Sequence, residues 1–225
     1  LTTPLRVRLS ASALAANAAE AVRRAGAHAV ADLRRDTWGH GLAPVAAALV
    51  AAGVRAARVD DTARATVAAA GLTATDAAPT LDTALLLGLP GGGGLPVMRA
   101  AGAVLSTKTL LAGEGVSYGY THRAASDTRI ALVTGGYAQG IVRGLGNHID
   151  VEIAGRLHRV VGRVAMDVCV VDIGDADVSP GDEVVFFGGD GPAQDALAMW
   201  ERESGLSAAE IAAAVGLRAV REGAS

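Results

Sequence analysis

The 225-residue chain is long enough for one large or two small domains, with 20 Lys+Arg against 23 Asp+Glu and a formal charge of −3. That balance, with no basic run, gives nucleic acid or an anionic membrane surface nothing to hold. Half of the residues (51%) are hydrophobic but only 3% are aromatic, so any core must be built from Ala, Val and Leu.

Residues 5–9 alternate as a short strand, and Ser10 is placed to cap a helix over 11–24 that Gly26 ends. Residues 28–33 read as a second strand. His40 and Gly41 lead to a helix over 44–52, residues 54–59 form a third strand, and Asp60 or Asp61 caps a helix reaching 70–71. This β–α order is the grammar of a parallel α/β layer. Residues 81–87 are predicted as one more strand. The glycine run 91–94 reads as a flexible hinge, not a phosphate loop, because no Gly-Lys-Ser/Thr follows it.

Beyond it the pattern turns to β. Strands are predicted over 103–111, 129–134, 149–153, 156–162, 168–173 and 183–187, with helices over 194–204 and 207–215. Ser207 and Glu210 have the spacing of a capping box. Cys169, the one cysteine, sits in an apolar run and reads as a buried structural thiol. The longest apolar run, 43–54, is too short to span a bilayer, and no signal-peptide pattern opens the sequence, so the cytoplasm is the expected compartment.

The densest stretch is Gly113-Glu114-Gly115-Val116-Ser117-Tyr118-Gly119-Tyr120. Its glycines imply a sharp turn or a close backbone approach. Tyr118 is either a presented proton donor or a buried hydroxyl at a hairpin tip, and residue types alone favour the second. Two more glycine-bearing stretches follow: Thr134-Gly135-Gly136-Tyr137-Ala138-Gln139-Gly140 and Gly162-Arg163-Val164-Ala165-Met166-Asp167. No His-Glu-x-x-His or paired cysteine indicates a metal; His122, His148 and His158 are scattered.

In order and spacing, these stretches resemble the C-terminal β domain of alanine racemases. The resemblance implies that Tyr118 matches a catalytic acid/base that reaches across a homodimer interface, with Tyr137, Met166 and Asp167 near the substrate or packed within the β domain. It also implies a (β/α)8 barrel before that domain, in which a Lys bearing pyridoxal phosphate follows the second strand. Residues 34–41, Arg-Arg-Asp-Thr-Trp-Gly-His-Gly, match that segment, with Arg34 in the lysine position, Asp36 in the asparagine position and Trp38 in that of a phosphate-holding tyrosine. Lys108 is the only lysine in the chain. A guanidinium cannot supply the free amine of an aldimine. The family's last segment contributes a phosphate-contacting tyrosine, and residues 216–221 have none.

The fold expected is α/β plus β: a partial (β/α) barrel remnant over 1–90 and an alanine-racemase-like β domain over 91–225. The expected function is cofactor-independent isomerisation or cyclisation of a small molecule at a homodimer pocket, with no cofactor and no metal. Tyr118, His40 and Asp36 are the candidate acid/base groups, and Arg34, Trp38, Tyr137, Met166 and Asp167 line the pocket. Arg34, Arg35 and Arg163 are candidate cations to support a tyrosine base. For His40 the plainer role is a positioning hydrogen bond. The alternatives are a non-catalytic dimeric interaction protein and an ordinary pyridoxal-phosphate racemase.

Overall fold

The computed structural model describes residues 4–26 and 28–223. Strand β1 (Arg6–Leu9) leads to helix α1 (Ala11–Ala25), which Ser10 caps as predicted by accepting from the Ala13 amide. Then come β2 (Val30–Asp32), the short turn α2 (Arg34–Trp38), α3 (Leu42–Ala51), β3 (Ala56–Arg58), α4 (Arg64–Ala69), β4 (Thr73–Ala74) and α5 (Thr83–Leu87). Eight strands follow: β5 (Met98–Leu110), β6 (Gly115–Val116), β7 (His122–Arg123), β8 (Thr128–Thr134), β9 (Asp150–Ile153), β10 (Arg156–Val161), β11 (Val168–Asp172) and β12 (Glu183–Phe187). The chain closes with α6 (Ala196–Ser204), α7 (Ala208–Gly216) and β13 (Val220–Arg221). The described residues form two compact units, 8–98 with 222–223 and 4–7 with 99–221.

In the first unit β2, β3 and β4 pair in parallel, with Ala31 opposite Ala57 and Ala57 opposite Ala74. Parallel pairing of 28–33 with 54–59 is therefore present, in shorter strands. The exposed edge of β2 is met by residues 80–81, whose amides donate to the Val30 carbonyl at 2.9 and 3.1 Å. Two sequence expectations are corrected. Residues 81–87 are a helix, not a strand: Asp82 caps α5 through the Leu85 amide, Gly88 ends it in a left-handed conformation, and Thr-Ala-Leu-Leu-Leu lacks the β-branched run a strand favours. The glycine run is packed rather than an open hinge, since a methyl on Gly92 would lie 2.4 Å from the Ala84 backbone and one on Gly94 2.2 Å from the Leu85 carbonyl oxygen.

The second unit is a β structure. β12, β9, β10, β11, β8 and β5 pair antiparallel in that order, and β12 pairs β5 again, closing the six into a barrel. Burial alternates along β9 and β11, with Val151, Ile153, Cys169 and Val171 inward. β1, read from sequence as the first strand of the α/β layer, instead belongs to this sheet and pairs in parallel with β13, Arg6 opposite Val220. Trp200 of α6 is fully buried and meets the Phe187 ring edge-on at 5.5 Å. The predicted capping box opens α7, with Ser207 Oγ accepting from Glu210 N and Glu210 Oε2 from Ser207 N. Cys169 is buried, which pushes its thiol up to about 12. Among the described residues no helix is long and apolar enough to cross a membrane.

Candidate functional site

In the barrel unit three loops converge, and glycine is what lets them. Gly136 carries an ordinary extended backbone, yet a methyl there would lie 2.1 Å from the Met166 carbonyl oxygen. Around that contact the Tyr137 amide donates to Ala165 O, Ala138 N to Met166 O, and Gly135 N to Asp167 O, at 2.9 to 3.1 Å. Gly162 also lies close to the tyrosine loop, where a methyl would come within 2.7 Å of Ser117 Cβ. Ser117 Oγ donates to the Arg163 carbonyl, and Asn147 joins the group by accepting from Gly162 N at 2.6 Å. All three glycine-rich stretches of the sequence are thus joined: 113–120 to 162–163, and 134–140 to 165–167.

Tyr118 follows directly on this junction. Ser117 sits at φ 60°, ψ −179°, a region costly for any residue with a side chain. Its hydroxyl bond and the Gly162 contact hold it there. Tyr118 then points outward at 66% exposure, which overturns the reading of a buried hydroxyl. Of the three candidate cations, Arg163 reaches this loop: a methyl on Gly119 would lie 3.4 Å from its Nη1. Tyr137 is partly exposed with the Arg143 guanidinium 5.7 Å from its ring centre; Met166 and Asp167 are exposed.

In the other unit the segment after β2 has an unusual backbone. Arg35, Asp36, Thr37 and Trp38 all lie at φ 52–55°, one turn of left-handed helix built without glycine. Each such residue costs roughly 1–2 kcal/mol. Two carboxylates brace the turn: Asp60 Oδ2 accepts from Arg35 N and Asp36 Oδ1 from Leu42 N, both at 2.7 Å. His40 is fully buried, with Nδ1 3.2 Å from the Trp38 carbonyl oxygen. Both Asp36 and His40 therefore make contacts that shape the turn.

Sequence reasoning missed Asp32. It is 5% exposed, and both its oxygens hold the Arg34 guanidinium, Nε to Oδ1 at 2.9 Å and Nη2 to Oδ2 at 2.6 Å. That hydrogen bond from Arg34 holds the Asp32 carboxyl below its ordinary value, against burial, which raises it. A carboxylate lowered in the folded state stabilises above its unfolded value, near 3.9, and loses that contribution as pH falls through the folded value. Arg34 is 42% exposed, so solvent screens the pair. Asp32→Asn should therefore cost about 1 kcal/mol in urea unfolding at pH 7. The gap to the native protein should narrow as pH falls below about 4; equal stability at pH 7 would refute the pair's contribution. Asn147 and Ser117 were also missed. Asn147 had one signal, an asparagine beside Gly146, a residue type that tolerates its left-handed φ of 71°. Among the described residues no cluster of His, Cys, Asp and Glu is arranged to hold a metal.

A closed antiparallel barrel whose glycine-rich loops lock together and expose their tyrosines defines a class of β domain, and comparison gives its family. The alanine racemase C-terminal domain family matches residues 97–222, more than half of the chain, and the chain belongs to that family. It is 47% identical over 96 residues to the alanine racemase of Mycobacterium leprae, covering 42% of this chain and 25% of that protein; the figures for the Mycobacterium tuberculosis alanine racemase are the same. The chain spans about a quarter of the length of the curated relatives it matches. Among solved structures, alanine racemase from D-cycloserine-producing Streptomyces lavendulae superposes with a TM-score of 0.79 at 20% identity, over 100% of this chain and 98% of that one. The Bartonella henselae alanine racemase, described with covalently bound pyridoxal phosphate, gives 0.76 at 16%, over 98% and 99%. At these identities the likeness shows the fold alone.

Proposed function

We propose that this chain acts without pyridoxal phosphate. An aldimine requires a primary amine beside the cofactor's aldehyde. The position matched to that amine carries Arg34, whose guanidinium Asp32 already holds through two bonds. Trp38 has no hydroxyl to offer a phosphate, and the one lysine, Lys108, lies on β5 in the other unit. The residues present do not fit the group, and no step is routed through it. Borohydride after incubation with pyridoxal phosphate should trap no stoichiometric pyridoxyl group. An equimolar adduct mapped to Lys108 would overturn this and return the ordinary racemase reading.

The reading supported best is a small-molecule isomerase or cyclase in which Tyr118 is the acid or base, in a pocket completed by a second copy of the chain. One observation carries it. The loop holds Ser117 in a costly conformation, and the outcome of that strain is an exposed Tyr118 side chain on a loop whose next residue, Gly119, has its backbone near the Arg163 guanidinium. In this reading Asp36 and His40 are positioning groups, and Trp38, Tyr137, Met166 and Asp167 contribute to substrate contacts. The three parallel strands are the remnant of a (β/α) barrel, and the compartment is the cytoplasm. The test is solvent proton exchange into candidate substrates, compared between native protein and Tyr118→Phe.

A second reading, a dimeric interaction protein without catalysis, draws on the exposure of Tyr118, Tyr120 and Met166 at 66%, 63% and 55%. It predicts self-association with no exchange at all.

A further inference from the structure

The face of β5, β8 and β11 opposite the one that buries Ala131, Val133 and Val171 carries a cavity of about 330 Å³. Strand register sets its floor. Ser106 lies opposite Leu132, which lies opposite Val170, and Lys108 lies opposite Ile130 one step along. Alternate residues share a face, so these five converge. The tyrosine loop forms the roof through Gly115, Val116 and Ser117. Val116 and Ile130 are 5% and 4% exposed and belong to a small apolar cluster with Leu110, Ala124 and Val161, against which Val170 packs. The space is therefore apolar below and above, with one charge at its rim.

That charge is the ammonium of Lys108, and among the described residues no carboxylate lines the cavity. Ser106 adds a hydroxyl that can donate. Ser117 cannot, because its proton goes to the Arg163 carbonyl. The volume lies at the small end of the range for ligand cavities. We propose that this cavity binds a short-chain aliphatic carboxylate. Its oxygens would meet Lys108 and Ser106, and its chain would lie over Ile130 and Leu132. Such a ligand would pack under Val116 and Ser117 and brace the loop that presents Tyr118. The proposal is independent of any catalytic role for that tyrosine.

Calorimetric titration with acetate, butanoate and hexanoate tests it, with hexan-1-ol and inorganic phosphate as probes of each half. Affinity should rise about fourfold per methylene along the carboxylate series. Hexanol and phosphate should each bind at least about tenfold more weakly than hexanoate. Lys108→Met should weaken hexanoate about tenfold with an unchanged unfolding temperature, since the residue is exposed, and Lys108→Arg should restore it. Val170→Trp, which fills the cavity from its floor, should abolish binding. Absence of hexanoate binding would overturn the proposal. So would equal affinity for hexanol or for phosphate, or a Lys108→Met protein that binds hexanoate as tightly as the native one.

Discussion

Replacing Tyr118 by phenylalanine should lower solvent-deuterium exchange at substrate carbons by two to four orders of magnitude, the usual contribution of a placed acid or base. The same change should leave stability within about 0.5 kcal/mol, because the side chain is largely in solvent and the backbone that presents it is held by Ser117, Gly162 and Arg163. Exchange is the appropriate readout because an acid/base that takes a proton from carbon exposes it to exchange with solvent deuterium, whatever the substrate. Nuclear magnetic resonance in D2O over a panel of small amino, oxo and hydroxy acids detects it. Unaltered exchange in the variant would remove Tyr118 from the chemistry. No exchange with the native protein, together with self-association, would leave the interaction reading.

A large effect on stability is expected at Gly136. Its φ of −132° suits any residue, so conformational freedom is not the reason for glycine there. Space is the reason. The methyl of alanine would meet the carbonyl oxygen and carbon of Met166 at 2.1 and 2.3 Å, and the nitrogen of Asp167 at 2.4 Å. All three are backbone atoms, so the loops must separate and strain the three backbone hydrogen bonds that tie 135–138 to 165–167. Gly136→Ala should therefore cost about 3 kcal/mol or more in denaturant unfolding. Gly144 is the control. A methyl there meets nothing within 4 Å and its φ is not positive, so Gly144→Ala should be neutral or slightly stabilising. Equal behaviour of the two variants would contradict the packing of Gly136 against the Met166 and Asp167 backbone.

What the sequence disclosed was mostly local. The caps at Ser10 and Ser207 were legible because a side chain three residues from its partner amide needs no tertiary information. The antiparallel strands were legible from alternation and turn residues. The allegiance of β1 was not, since its pairing with β13 joins opposite ends of the chain and leaves no local mark. Residues 81–87 misled because a short leucine-rich run suits a buried strand or a buried helix equally, and the Asp82 cap decided it. The site divided in the same way. Glycine spacing exposed the three loops, but it said nothing of the left-handed turn at 35–38, built from residue types that rarely adopt it. Nor did it pair Arg34 with Asp32, which needs the end of β2 and the turn after it in three dimensions.

The closure of the barrel also bears on how the protein is made. β5 is synthesised well before the strand that seals it: β12 sets Glu183 against Ala103 only after all the intervening strands have been made. During that interval β5 and β9 both present bare amides and carbonyls along one side. Pairings this distant in sequence form slowly, and unsealed strands invite their like from neighbouring nascent chains. Yield during synthesis should therefore be governed by how long the chain waits for Glu183–Phe187, and less by the stability of the finished barrel.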